Sequence, residues 1–536
     1  MNGKFERDTA SGRVRGRADE TSGVISWLGV PYAAAPVGGL RWRAPQPHPG
    51  WSGVRDCCGF SQPSLQVSDG AVVGSEDCLT LNIYSPDGAE KLPVFFFIHG
   101  GNNQTDSGEM LDGEVMARAL DAVVVSINLR LGVLGWLHLA ALRVYGGAED
   151  SGNYGLLDIL CALDWVRENI ENFGGDAGNI TASGYSSGAR DLLAMLITPA
   201  FEGKFSRAVT FSGGFTVSDP GFSERRAAEA IAPLAVEDGA AKDPESAAAW
   251  LLSGGGDVRR WLCSVEGARF APLMAGAAIR MRVFPHLFAD GRLIPAEGFG
   301  VLEHGRPIDV PMLCFSGGHE FDFAGNNDPL FKNADFSDGE VVREYRFATK
   351  YGGALFGYIN AEQNAAAFTS APGAKSPVYA GRCFWGMDCS VTDEYAAMRM
   401  GGTHGLDLYL MMGAERGDYA VSPNVYTADN RPGRDALAAA YRGYLRSFVH
   451  TGDPNGVGLP RWEPWDAAGR LMCFDASRTE ARCAMTRDVV REDEVFAEIE
   501  RDSTLSPERK SHLLHHVLDG RFFSGGLDPF VEEKGL

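Results

Sequence analysis

The sequence predicts an α/β fold in which a mostly parallel central sheet is flanked by helices, and three observations predict it. Apolar, β-rich runs such as "PVFFFI" and "AVVVSI" have the length of strands buried on both faces. From Leu156 to Phe173, apolar residues fall at 156, 159, 160, 163, 166, 170 and 173, a helical rhythm that "FGGD" stops. Between residues 93 and 216 the pattern runs strand, loop, strand, helix, strand, corner, helix, strand. Repeated alternation of this kind sets strands in parallel with helices on their faces.

Taken in order, the opening "MNGKFERDTASGRVRGRADE" is polar and charged, without the apolar core of a secretory signal, and reads as the start of a cytoplasmic chain. The most apolar stretch, "DAVVVSINLRLGVLGWLHLAAL", is interrupted by Asn128 and Arg130 and falls short of the ~18–20 clean apolar residues of a membrane span. Residues 217–300 turn Ala-rich and charged and read as a helical insertion over the sheet. A strand returns at "VPMLCFSGG", and a second helical region follows at about 325–400. Gly452 closes a long helix ending "LRSFVHTG", and Ser506 caps another with Pro507 at its first position. One interrupted α/β domain over residues 1–536, with helical insertions covering the active site, is the economical reading.

At 536 residues and 45% hydrophobic content the chain buries a large core, and a 22% charged fraction speaks against disorder. The net charge of -21, from 49 basic and 70 acidic residues, repels phosphate backbones and anionic lipid, so neither nucleic acid nor an acidic membrane is an expected partner. The ten cysteines form no zinc-type pair of C-x-x-C motifs and read as reduced thiols. "HLLHH" at 512–516 reads as a helix face and not as a metal site.

The corner lies in "ITASGYSSGARDLL", where Gly184, Ser186 and Gly188 spell G-x-S-x-G between a predicted strand and a predicted helix. Such an elbow lifts the serine to the top of the sheet at a helix N-terminus, where backbone N–H groups stabilise a developing oxyanion. Upstream, "FFFIHGGNNQTDSG" places Gly100 and Gly101 just past a strand end, where N–H groups are free to point into a site.

The chain resembles the type-B carboxylesterase, or cholinesterase-like, family of α/β-hydrolases over nearly its whole length. The likeness is carried by "LGVPYAAAPVGGLRWRAPQPHPGWSGVRD", "SEDCLTLNIYSP", "VVVSINLRLGVLGWL", "GNYGLLDILCALDWVRENIENFGGDAGNITASGYSSGA" and "FVHTGDPN". It implies Ser186 as nucleophile, Glu320 as acid and His404 as base, in the order Ser, Glu, His with spacings of 134 and 84 residues. His319 and Asp322 flank the acid, and the family register, nine residues past Pro311, favours Glu320. The resemblance further implies an oxyanion hole from the N–H groups of Gly101, Asn102 and Ser187. The chemistry so implied is two-step acyl transfer on a small-molecule carboxylic ester, with no metal or organic cofactor. A catalytically inactive binding or adhesion module, or a lipase, is the alternative within the same fold.

Against the family pattern, Tyr185 replaces a glutamate, Ser187 an alanine, Asp191 a serine and Asp407 a glutamate. Tyr185, and the absence of a choline-binding tryptophan before "SEDC", argue against a true cholinesterase. Ser64 stands where the disulfide partner of Cys78 would fall, so Cys78 is expected as a free thiol. Arg41 with Glu76, and Arg130 with Asp158, occupy positions of family ion pairs. Asn103, where an aromatic is usual, stands beside Asn102, and two amides facing a closed pocket imply a preference for esters with polar substituents.

Overall fold

The computed structural model describes residues 5–19, 22–414 and 423–536. Residues 1–4 and 20 of the polar opening, on which the cytoplasmic reading drew, lie outside them. The chain divides into two compact units, Met1–Ala208 with Thr216–Asp309 and Val209–Phe215 with Val310–Leu536.

In the first unit six strands lie in the order Gly175–Tyr185, Leu92–Ile98, Val123–Ile127, Thr80–Pro86, Val24–Pro31 and Arg17–Asp19. The first three run parallel, with Val94 opposite both Ile180 and Val123. The remaining pairings are antiparallel. Phe95, Phe96, Phe97 and Val123, Val124, Val125 are all fully buried, as unbroken apolar runs require when both faces of a sheet are covered. The helix Tyr154–Asn169 continues as a short tight turn to Phe173 and stops at Gly174, whose φ of 87° is open to glycine without strain. Its predicted stripe is buried except for Leu160, which is half-exposed.

The insertion is helical at Pro220–Glu237, Pro244–Leu252 and Gly256–Ser264. Asp219 and Asp243 cap the first two through their side chains, each followed by a proline at the first helical position. Past Ser264 the same unit continues in turns and short tight helices such as Gly298–Glu303. Composition therefore carried the helix prediction only as far as Ser264.

In the second unit Met312–Gly317, Val378–Cys383 and Leu471–Ala476 run parallel, and Ala481–Thr486 closes an edge in antiparallel. Val378–Cys383 lies inside the stretch read as helical. Its apolar run is broken by Arg382, which the fold buries by pairing it with Glu362 at 3.2 Å. Helices Gly339–Asn360, Glu362–Ser370 and Arg431–Thr451 belong to this unit, the last stopped by Gly452 at φ 81°. Phe315, Tyr441, Trp462 and Phe474 form its aromatic centre, with Tyr441 and Phe474 stacked at 4.3 Å. Among the described residues no helix is long and apolar enough to cross a membrane.

Candidate active site

Ser186 joins the strand Gly175–Tyr185 to the helix Ser187–Leu196 with φ 54° and ψ -115°, a conformation that costs a non-glycine residue on the order of 1–3 kcal/mol and persists only where its surroundings impose it. Those surroundings explain both flanking glycines. A Cβ on Gly184 would sit 2.2 Å from the Gly188 carbonyl oxygen, and one on Gly188 would sit 2.3 Å from that of Ile98. The helix thus packs backbone against backbone on the strand Leu92–Ile98.

The loop following that strand is held against the elbow, since a Cβ on Gly100 would lie 3.1 Å from Cβ of Ser186. Gly101, Asn102 and Asn103 take φ of 88°, 56° and 56°, all left-handed. Asparagine is among the few side chains that accept this region. Amide groups of Gln104 and Thr105 both donate to the Gly101 carbonyl, at 2.9 and 3.0 Å, closing the turn. The N–H groups of Gly101, Asn102 and Ser187 meet no acceptor among the described residues.

Both asparagine side chains find partners inside the protein. The Asn103 amide donates to Asp191 Oδ1 at 2.8 Å, and its backbone N–H donates to Ser187 Oγ at 2.9 Å. Asn102 Oδ1 accepts from Arg190 Nη2 at 2.7 Å, and its amide donates to Gln104 at 3.1 Å. With Asn103 only 1% exposed, the expectation that these amides await a polar substrate is corrected. Asp191 and Arg190 on the elbow helix, with Gln104 on the loop, already engage them.

Asp191 and Arg190 are buried to 0% and 1% exposure. Burial pushes the Asp191 carboxyl up to about 7, against the opposing pull of the Asn103 bond and the Arg190 charge. Burial likewise lowers the Arg190 guanidinium to about 10, Asp191 opposing.

In the second unit His404 Nδ1 pairs with Glu320 Oε2. The other carboxylate oxygen of Glu320 accepts from Ser212 Oγ at 2.6 Å, from Ser316 Oγ at 2.9 Å and from the Gly317 N–H. Burial alone would raise this carboxyl, but the His404 charge and these bonds outweigh it and hold the group at about 2. The imidazole of His404 stacks on Phe323 with centroids 4.5 Å apart. Asp322 turns instead to His319, 3.1 Å from Nδ1, so of the acidic residues at 320 and 322 it is Glu320 that meets His404.

The remaining predicted pairs serve the scaffold. Arg41 forks onto both Glu76 oxygens at 2.7 Å, and Arg130 holds Asp158 with a closest approach of 2.6 Å. None of the ten cysteines is in a disulfide, and Cys78 is buried beside Ser64, its thiol pushed up to about 12 chiefly by burial.

Residues 4–251 match the carboxylesterase family. The chain is 40% identical over 215 residues to the para-nitrobenzyl esterase of Bacillus subtilis (strain 168), covering 38% of this chain and 43% of that protein. The match to the family model takes in just under half of the chain. The fumonisin B1 esterase of Sphingopyxis macrogoltabida is 42% identical over 222 residues, 39% of this chain and 40% of its own length. Human carboxylesterase 3 is 32% identical over 336 residues, 59% of this chain and 55% of its own length. The chain therefore spans about two fifths of the first two relatives and just over half of the third. Among solved structures, the carboxylesterase EST55 of Geobacillus stearothermophilus superposes with a TM-score of 0.68 at 29% identity, over 90% of this chain and 97% of that one. A para-nitrobenzyl esterase structure gives 0.69 at 24% identity, a likeness of fold, over 92% and 98%. The fold is the α/β-hydrolase fold.

Sequence reasoning missed Ser212, Ser316 and Phe323 around the Glu320–His404 pair. Ser212 and Ser316 follow or end predicted strands, a weak signal that many serines share. It did note Asn103 and Asp191 separately as departures from the family, and their pairing is what the structure adds.

Proposed function

We propose that the chain is a serine carboxylesterase that hydrolyses carboxylic esters through an acyl-enzyme on Ser186, with His404 as general base and Glu320 as its orienting acid. The observation that carries this reading is the strained elbow at Ser186 with three unengaged N–H donors on the segments that flank it, those of Gly101, Asn102 and Ser187. A fixed set of donors beside a nucleophile stabilises the charge that builds on a carbonyl oxygen, and each typically contributes about 10²–10³ in rate. His404 takes the Ser186 proton as Oγ bonds to the ester carbon, and Glu320 holds the Nδ1–H and stabilises the imidazolium. Collapse of the tetrahedral intermediate breaks the bond to the alcohol, which leaves with the proton from His404. Water, deprotonated by His404, then attacks the acyl group and frees Ser186. The substrate is a small-molecule carboxylic ester. Ten cysteines with no disulfide among them suit a reducing compartment such as the cytoplasm.

The test is hydrolysis of a short-chain para-nitrophenyl ester by the wild type and by Ser186→Ala. Turnover should fall by several orders of magnitude in the variant with its fold intact, since loss of the serine alone removes most of what the assembled groups provide. Unchanged turnover in a folded Ser186→Ala protein overturns the assignment.

A further inference from the structure

The helix that follows the elbow does more than carry Ser186 at its N-terminus. Three of its side chains reach the 101–103 turn. Ser187 Oγ accepts the Asn103 N–H at 2.9 Å, Asp191 Oδ1 accepts the Asn103 amide at 2.8 Å, and Arg190 Nη2 donates to Asn102 Oδ1 at 2.7 Å. From these contacts we infer that Ser187, through its hydroxyl, and Arg190 and Asp191 are positioning residues that fix the oxyanion loop for ester hydrolysis, an inference that rests on the esterase reading above.

Two further observations support it. Asn102 and Asn103 both sit in the left-handed region, which asparagine tolerates but also leaves readily, so contacts from its neighbours fix it there. Rotating either peptide out of that region would re-aim the N–H groups of Gly101 and Asn102, whose direction decides whether they meet an oxyanion. The second observation is Asp191 itself. Its Oδ2 is fully buried and has no hydrogen-bond partner among the described residues. A carboxyl kept in such a place is expensive, and the contact it supplies is the bond from Oδ1 to Asn103. A buried hydrogen-bonded pair, Asn103 with Asp191, fills this space, and Arg190 secures the neighbouring Asn102.

The experiment measures kcat and KM on a short-chain para-nitrophenyl ester, and inhibition by an aryl trifluoromethyl ketone, for wild type, Asp191→Ala, Asp191→Asn and Ser187→Ala. Ser186 Oγ adds to the ketone carbon and the carbonyl oxygen becomes the oxyanion, so inhibition reads the hole directly. Asp191→Ala should lower kcat by about 10- to 100-fold with KM within about threefold, and weaken the ketone by the same factor as kcat. Asp191→Asn, whose side-chain carbonyl still accepts from Asn103, should stay within about threefold of wild type. If Asp191→Ala fails to fold, Ser187→Ala carries the test, with kcat down about 3- to 10-fold at constant KM and ketone inhibition weakened in step. The inference is overturned by unchanged kcat in the folded variants, by equal losses in Asp191→Ala and Asp191→Asn, or by a change confined to KM. Absence of Ser186-dependent turnover in the wild type would instead overturn the esterase reading beneath it.

Discussion

Replacing Asp191 by asparagine turns the burial of one carboxyl into a measurable pH dependence of stability. In the unfolded chain this carboxyl titrates at its ordinary 3.8, and in the fold it is pushed up to about 7 by burial. Its folded value is raised, so the stability it contributes is fully present below 3.8 and is lost as pH rises through about 7. Between these limits the unfolded chain releases a proton that the folded protein retains. A difference of about three pH units at ~1.4 kcal/mol each gives about 4 kcal/mol lost across the window. Asparagine does not titrate. The stability of Asp191→Asn minus that of wild type should therefore climb by about 4 kcal/mol between pH 4 and pH 7, with a plateau on either side. The new amide N–H₂ stands where Oδ2 has no partner, which adds a pH-independent penalty of about 1–3 kcal/mol. The slope with pH, not the level, carries the information. Pulse proteolysis in urea at successive pH values measures it, and the infrared band of a protonated carboxylic acid, present in wild type at pH 5.5 and absent from the variant, checks the proton directly. A stability difference that does not change with pH would refute the assignment of a protonated Asp191.

Three further outcomes are expected. Gly188→Ala should destabilise the fold by more than about 4 kcal/mol, seen as loss of soluble protein or a large fall in Tm, because the added Cβ meets the Ile98 carbonyl at 2.3 Å and backbone does not yield as a side chain does. Glu320→Gln should keep the fold and lower kcat by about 10³- to 10⁴-fold through a misoriented imidazole. Since the Glu320 carboxyl is held at about 2, below its unfolded 4.5, the stability it contributes is present above 4.5 and is lost as pH falls toward 2, which acid denaturation of wild type against the variant would show. Cys78, with its thiol at about 12, should resist an alkylating reagent at pH 8 in the native protein, where its thiolate fraction is about 10⁻⁴, and exposed Cys58 and Cys389 should label first in a peptide map.

Local physics made the frame of this protein readable before any coordinates. Unbroken apolar runs determined the strands at 92–98 and 123–127, the spacing of apolar residues determined the helix at 154–169, and glycine at 174 and 452 and proline at 507 marked where helices end or begin. Each of these signals lives within a few residues of itself. The elbow was legible for the same reason, since two glycines around a serine answer to contacts that the strand and helix make by meeting there. Where the signal is diluted, the reading weakened. Alanine content could not say that the insertion stops being helical after Ser264, and a strand that carries a buried arginine does not look apolar.

What only the tertiary structure decided is how polar groups distant in sequence meet. Asn103 and Asp191 are 88 residues apart, and Ser212 and Glu320 are 108 apart. No pattern in either neighbourhood specifies the partner, because a hydrogen bond depends on distance and direction after the chain has folded. The sequence alone suggested that two asparagines beside an oxyanion hole would look outward for a substrate. The fold engages both within the protein, since the helix carrying the nucleophile offers an acceptor, Asp191, to the Asn103 amide and a donor, Arg190, to Asn102 Oδ1.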